Sequence, residues 1–159
     1  MPKRSAGILL YRRRGETVEV LLAHPGGPFW MRKDDGAWSI PKGEYEEGED
    51  PLAAARREFS EETGFAELPG PFVALGEIRQ GGGKVVTAWA AEGEFDPATL
   101  RSNTFTLEWP PRSGKLQEFA EIDRAAWFPR DAAAAKILKG QHEFLKRLDA
   151  ALRGDPPRE

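Results

Sequence analysis

Residues 43–65 read GEYEEGEDPLAAARREFSEETGF, and they restrict the fold of this chain more tightly than any other stretch. Asp50 suits a helix N-cap, Pro51 the first helical position and Gly64 the left-handed position after the last turn. The segment therefore predicts a helix over about 51–63. Leu52, Ala55 and Phe59, spaced by three and four, give that helix an apolar face, with Glu58, Glu61 and Glu62 expected to point elsewhere. Three carboxylates at such spacing share a surface, and each like-charge pair costs an isolated helix roughly 0.2–0.5 kcal/mol. Cations that neutralise the cluster explain why a chain would carry it. Carboxylate oxygens are the ligands preferred by Mg2+ and Mn2+, so the segment points to a divalent-metal site. Such sites commonly serve phosphate chemistry.

The frame around the carboxylates strengthens this reading over that of a solvated acidic face. Gly43 lets backbone approach a ligand or cation closely, and its carbonyl is a candidate metal ligand. Arg57 keeps its proton under all ordinary conditions and can pair with a carboxylate through two hydrogen bonds. With Glu49, it is expected to orient the metal-binding carboxylates.

The rest of the chain sets limits. Its 159 residues and 40% hydrophobic content suit one domain, expected over residues 1–153, with a frayed tail at 154–159. A net charge of −3 gives no sign of general affinity for nucleic-acid backbones. The absence of cysteine removes disulfides, thiolate ligands and a cysteine nucleophile, and fits a reducing compartment. No apolar run approaches the roughly 20 residues that span a bilayer. The opening MPKRSAGILLYRRR places arginines where a signal peptide would need its small-residue cleavage site, so it reads as a first strand of a cytoplasmic protein.

Strands are expected at 6–11 and 18–24, a short extended piece at 38–40, and a hairpin of 72–79 with 84–91 joined by Gln80 and three glycines. Residues 96–108 suggest a helical turn and then a strand. A short strand follows at 125–128, then an alanine-rich helix opened by Pro129. A last amphipathic helix spaces Phe144, Leu145, Leu148 and Leu152 by three and four.

Gly43, Glu49, Arg57, Glu58, Phe59, Glu61, Glu62, Gly64 and Phe65 match every fixed position of the Nudix box, Gx5Ex7REUxEExGU, where U is a bulky apolar residue. The preceding Trp38-Ser39-Ile40-Pro41-Lys42 resembles the usual lead-in to that box. The resemblance implies an α/β/α sandwich with a mixed central β-sheet. It also implies hydrolysis, with Mg2+ or Mn2+, of a nucleoside diphosphate linked to another moiety. Glu58, Glu61 and Glu62 inherit the roles of metal ligands, and one of the last two can deprotonate the attacking water. Some family members add a carboxylate from a later loop. Here Glu121, or else Glu118, precedes a tryptophan-bearing strand in the same manner.

Recognition of a small-molecule nucleotide falls on Lys42 at the box entrance and on Trp30 and Trp38, whose rings can stack a base. Arg32, Lys33, Arg79 and Lys84 are further candidates for neutralising phosphates. The lead-in and the glutamate before a tryptophan are most similar to dinucleoside polyphosphate hydrolases, such as those acting on diadenosine tetraphosphate. A tyrosine that some of these enzymes place after the box has no counterpart. ADP-ribose and nucleoside triphosphates are the alternative substrates, and a non-catalytic nucleotide sensor is the alternative of another class. A monomer or a homodimer fits either.

Overall fold

The computed structural model describes residues 3–65 and 68–154. Its centre is β1 (Arg4–Arg14), which is buried without interruption from Ser5 to Tyr11. Burial on both faces marks a strand covered on each side, and the surrounding sheet explains it. Beside β1 run β2 (Thr17–Pro25), β4 (Val73–Gln80), β5 (Lys84–Glu92) and β8 (Ile122–Pro129), in the order β4-β5-β1-β2-β8. The β1–β5 pairing is parallel and the others are antiparallel, so the sheet is mixed. A three-residue strand, β3 (Lys42–Glu44), pairs with the first part of β1, matching Gly7 to Lys42 and Ser5 to Glu44. Two further strands, β6 (Thr104–Glu108) and β7 (Leu116–Ala120), form a separate antiparallel hairpin.

Alternation along the strands divides the core into two layers. Ala6, Ile8 and Leu10 of β1 and Leu21 of β2 face helix α1 (Pro51–Thr63), where Ala54, Ala55 and Phe59 meet them. Leu9, Tyr11, Val20 and Leu22 face the opposite way. There they pack against Ala133 of α2 (Arg130–Lys136) and Phe144, Leu145 and Leu148 of α3 (His142–Leu152). Helices thus cover both faces of the sheet, as the expected sandwich requires. No helix among the described residues is long and apolar enough to cross a membrane.

The helix that carries the acidic segment begins and ends where its sequence dictates. The Asp50 side chain accepts a hydrogen bond from the Ala53 amide at 2.9 Å, and Gly64 adopts φ 80° as its amide closes onto Ser60. The 72–79 and 84–91 strands appear as β4 and β5, joined by a 3-10 turn over Gly81–Gly83. The short strand at 125–128 extends to the full length of β8. Two strands have no counterpart in the sequence reading. β3 is only three residues long, and β7 is mostly exposed and lacks an apolar alternation. Of the expected tail at 154–159, all but Gly154 lies outside the described residues.

Phe59 is 1% exposed at the meeting of α1 with β1, and removing its ring leaves a cavity that the paired strands cannot close. Replacement of Phe59 by alanine is expected to lower the unfolding free energy by about 3–5 kcal/mol in denaturant titrations.

Candidate functional site

α1 carries its carboxylates in two different settings. Phe59 and Glu62 are three residues apart, and both follow Ala55 at helical spacing, so Glu62 lies on the apolar stripe. The expectation that all three glutamates point away from the core is therefore corrected. Glu62 is buried at 8% exposure, whereas the Glu61 side chain is 42% exposed at the helix surface. The spacing already contained this signal, but the charge of Glu62 masked it.

Glu58 sits between these extremes, over the backbone of β3. A Cβ placed on Gly43 would overlap the Glu58 carboxylate, so only glycine leaves room for it there. Arg57 reaches across the helix start to Glu49 and also donates to Glu58 Oε1 at 3.3 Å. Its Nε lies 3.8 Å from Glu61 Oε1. One guanidinium thus touches Glu49, Glu58 and Glu61.

The electrostatics follow from burial. Loss of water pushes the Glu62 carboxyl up to about 8, and the neighbouring Glu58 charge adds to the rise, against the pull of Lys42 and its backbone hydrogen bond. Glu58 is also raised, first by burial, with Arg57 opposing and Glu61 reinforcing. Lys42 is lowered, again by burial first, with the Glu62 charge resisting and Lys84 assisting. Without a cation, Glu62 therefore holds a proton at neutral pH.

Two recesses meet at this point. A polar cleft of about 450 Å³ is lined by Lys3, Ser5, Lys42, Gly43, Glu44, Glu58, Glu61, Lys84, Asn103 and Glu121. A smaller, more apolar recess of about 270 Å³ includes Ala23, Trp30, Ile40, Lys42, Glu62, Glu121, Ile122 and Leu138. Lys42 and Glu121 border both. Glu121 ends the excursion of the β6–β7 hairpin and enters β8. Its amide donates to Asn103 O and its carbonyl accepts from Gly26, both at 2.8 Å. The Asn103 amide in turn donates to Glu61 O at 3.1 Å, tying this segment to the last turn of α1. Glu118 lies on β7 opposite Thr106 and borders neither recess.

The tryptophans separate. Trp30 is 36% exposed and lines the apolar recess. Trp38 is only 3% exposed, donates its indole N–H to Asp34 Oδ1 at 2.8 Å, and meets His24 and Phe128 edge-on. Its expected stacking role is corrected: a ring enclosed in the core has no face to offer a base. His24 is wholly buried, with ring nitrogens 2.8 Å from Asp123 Oδ1 and 2.6 Å from Lys33 O, and so anchors the loop that bears Trp30. Lys84 reaches the polar cleft, while Arg32, Lys33 and Arg79 line neither recess. Lys3, Ser5 and Asn103 carry no motif. They enter the cleft through strand pairing and a backbone hydrogen bond.

The donor set suits a hard divalent cation. Glu62 Oε2 is buried without a hydrogen-bond partner, and the polar cleft is rich in carboxylate oxygen. Among the described residues, no three His, Asp or Glu side chains are already drawn together as a finished ligand set. A cation would have to gather them.

The raised Glu62 carboxyl makes stability depend on pH. A carboxyl that titrates near 4.3 in the unfolded chain and near 8 in the metal-free fold contributes stability that is full below the lower value and lost as pH rises through the upper. Thermal unfolding of metal-free protein is expected to show Tm falling between about pH 5 and 8. Glu62→Gln should flatten that decline.

Comparison with known proteins agrees with the fold. Residues 1–148 match the sequence model of the NUDIX domain. An 8-oxo-(d)GTP phosphatase of Mycolicibacterium smegmatis is 33% identical over 91% of the chain and 42% of its own length. An RNA pyrophosphohydrolase of Caulobacter vibrioides is 48% identical over 32% of the chain and 33% of its own length. Where nearly the whole chain is matched, it spans less than half the length of the curated relatives, 42% and 37% of them. A crystal structure of a C. elegans Ap4A hydrolase binary complex superposes with a TM-score of 0.64, covering 94% of this chain and 98% of that one at 22% identity. That likeness concerns the fold. With the family match extending over nearly its whole length, this chain belongs to the NUDIX domain family.

Proposed function

We propose that the chain is a pyrophosphohydrolase that cleaves a phosphoric anhydride bond in a nucleoside polyphosphate. The observation that carries this reading is the meeting of Glu58, Glu61 and Glu121 with Lys42 in one polar cleft, beside a recess that offers Trp30. Mg2+ or Mn2+, held by Glu58, Glu61, Glu62 and the Gly43 carbonyl, would lower the pKa of a bound water and stabilise charge on the phosphoryl oxygens.

The chain's own residues do the rest. Arg57 and Glu49 brace Glu58. Lys42 takes a phosphate oxygen at the border of the two recesses, where its position suits the anhydride to be cleaved. Trp30 receives the base in the apolar recess. Glu121 faces the same cleft and accepts the proton of the attacking water. Attack on one phosphorus breaks its anhydride bond and releases a phosphate-bearing group, with no covalent enzyme intermediate.

Two substrate forms fit. Dinucleoside polyphosphates follow from the lead-in and the glutamate-then-tryptophan element. Nucleoside triphosphates are favoured by the relative that matches 91% of the chain and is named for 8-oxo-(d)GTP.

The test is a panel of nucleoside triphosphates, dinucleoside polyphosphates and ADP-ribose at equal concentration with Mg2+ or Mn2+, the products being identified by mass. Metal-dependent cleavage of a polyphosphate is expected, and Glu62→Gln and Glu121→Gln should each lower kcat by about 10²-fold or more. Unchanged turnover in both variants would refute the assignment. A wild-type protein that binds nucleotides and cleaves none would instead be a nucleotide sensor.

A further inference from the structure

The polar cleft has two walls of opposite sign. Glu58 and Glu61 of α1 and Glu121 form one. The other is built from the sheet, with Lys42 on β3, Lys84 at the start of β5, and Lys3 just ahead of β1. Parallel pairing of β1 with β5 sets Arg4 beside Val85, and the Val85 amide donates to Lys3 O at 2.9 Å, so Lys3 and Lys84 lie side by side. Lys42 pairs with Gly7, four residues farther along β1. At ~3.3 Å per residue, the two ends of the wall are about 13 Å apart along the strand before the side chains converge.

These lysines differ from the other basic residues nearby. Arg4, Arg12 and Arg13 of β1 each pair with a carboxylate: Glu77, Glu19 and Glu92. Among the described residues Lys84 has no ion-pair partner, and Lys3 has only a 3.9 Å approach to Glu44. On this wall the only carboxylate among the described lining residues is Glu44, itself exposed, and three like charges with so little counter-charge beside them are stabilised by an anion that spans them. The residues lining this cleft include no aromatic ring and no large apolar side chain that could seat a second base.

We propose that Lys3 and Lys84 form an outer phosphate subsite that selects substrates with at least three phosphates, the outermost being unesterified. This inference rests on the proposed pyrophosphohydrolase function and deepens it. The base occupies the apolar recess and Lys42 meets the inner phosphates. The terminal phosphate then reaches the Lys3–Lys84 end, which favours nucleoside 5′-triphosphates over dinucleoside polyphosphates.

Inorganic tripolyphosphate and pyrophosphate separate the outer subsite from the inner one. Each would be titrated calorimetrically in magnesium buffer into wild type, the Lys3→Met/Lys84→Met double variant, and Lys3→Arg/Lys84→Arg as a charge-preserving control. The methionine variant is expected to bind tripolyphosphate about tenfold more weakly and to bind pyrophosphate within about twofold of wild type. The arginine variant should retain most of the tripolyphosphate affinity. Equal losses for both anions, or no loss for either, would overturn the subsite. With nucleotides, KM of the methionine variant should rise for a nucleoside triphosphate and rise less for a dinucleoside polyphosphate. Equal rises would show that the outer end does not select a free phosphate. If wild type cleaves no nucleotide while tripolyphosphate binding still depends on the two lysines, the hydrolase reading fails and the subsite stands.

Discussion

The seating of α1 on β1 and β3 is the contact on which the rest of the structure depends. Phe59 and Ala55 anchor the helix in the apolar layer above the sheet, and the same stripe carries Glu62 inward. Half a turn of rotation about the helix axis would expose Phe59, so the core fixes the azimuth at which every carboxylate leaves the helix. Gly43 then sets the height. Its missing side chain is the space that Glu58 occupies, and β3 is held against β1 by only three residue pairs. Hydrophobic packing therefore aims charged groups that would otherwise disperse.

This arrangement is electrostatically costly in a way that points to ligands. A carboxyl buried beside another carboxylate holds its proton, and one of its oxygens lacks a partner. Across the cleft, burial pushes Lys42 down while Lys84 adds like-charge repulsion. Acidic and basic walls of one cleft, each incompletely neutralised within the protein, suit a ligand that brings both cations and phosphates. Free energy withheld from the empty fold becomes binding energy, the usual relation between strained sites and function.

Legibility from sequence tracked the range of the interactions. Helix α1 was readable because its signals are local: the Asp50 cap, Pro51, the apolar spacing and Gly64. The β4–β5 hairpin and the last amphipathic helix were readable for the same reason, whereas the mixed sheet was implied by the resemblance to the Nudix family. Burial of Glu62 was encoded in its spacing from Phe59, but residue type argued against it. Enclosure of Trp38 was not readable, because Asp34, His24 and Phe128 reach it from three segments. Lys3 and Lys84 are neighbours only through the parallel β1–β5 pairing, a long-range contact that no local pattern announces. β6 alternates Phe105 and Leu107 with polar residues and answers the strand expected within 96–108, whereas β7 is mostly exposed without alternation and left little trace.

We propose that a cation completes this site by taking the place of the proton on Glu62. Its most direct test is calorimetric titration of metal-free protein with Mg2+ and Mn2+ at pH 7, in buffers of different ionisation enthalpy, which counts the protons released. Saturable binding that releases close to one proton is predicted for wild type, and clearly less release for Glu62→Gln. Absence of saturable binding, or binding whose proton release is the same in both proteins, would contradict the account.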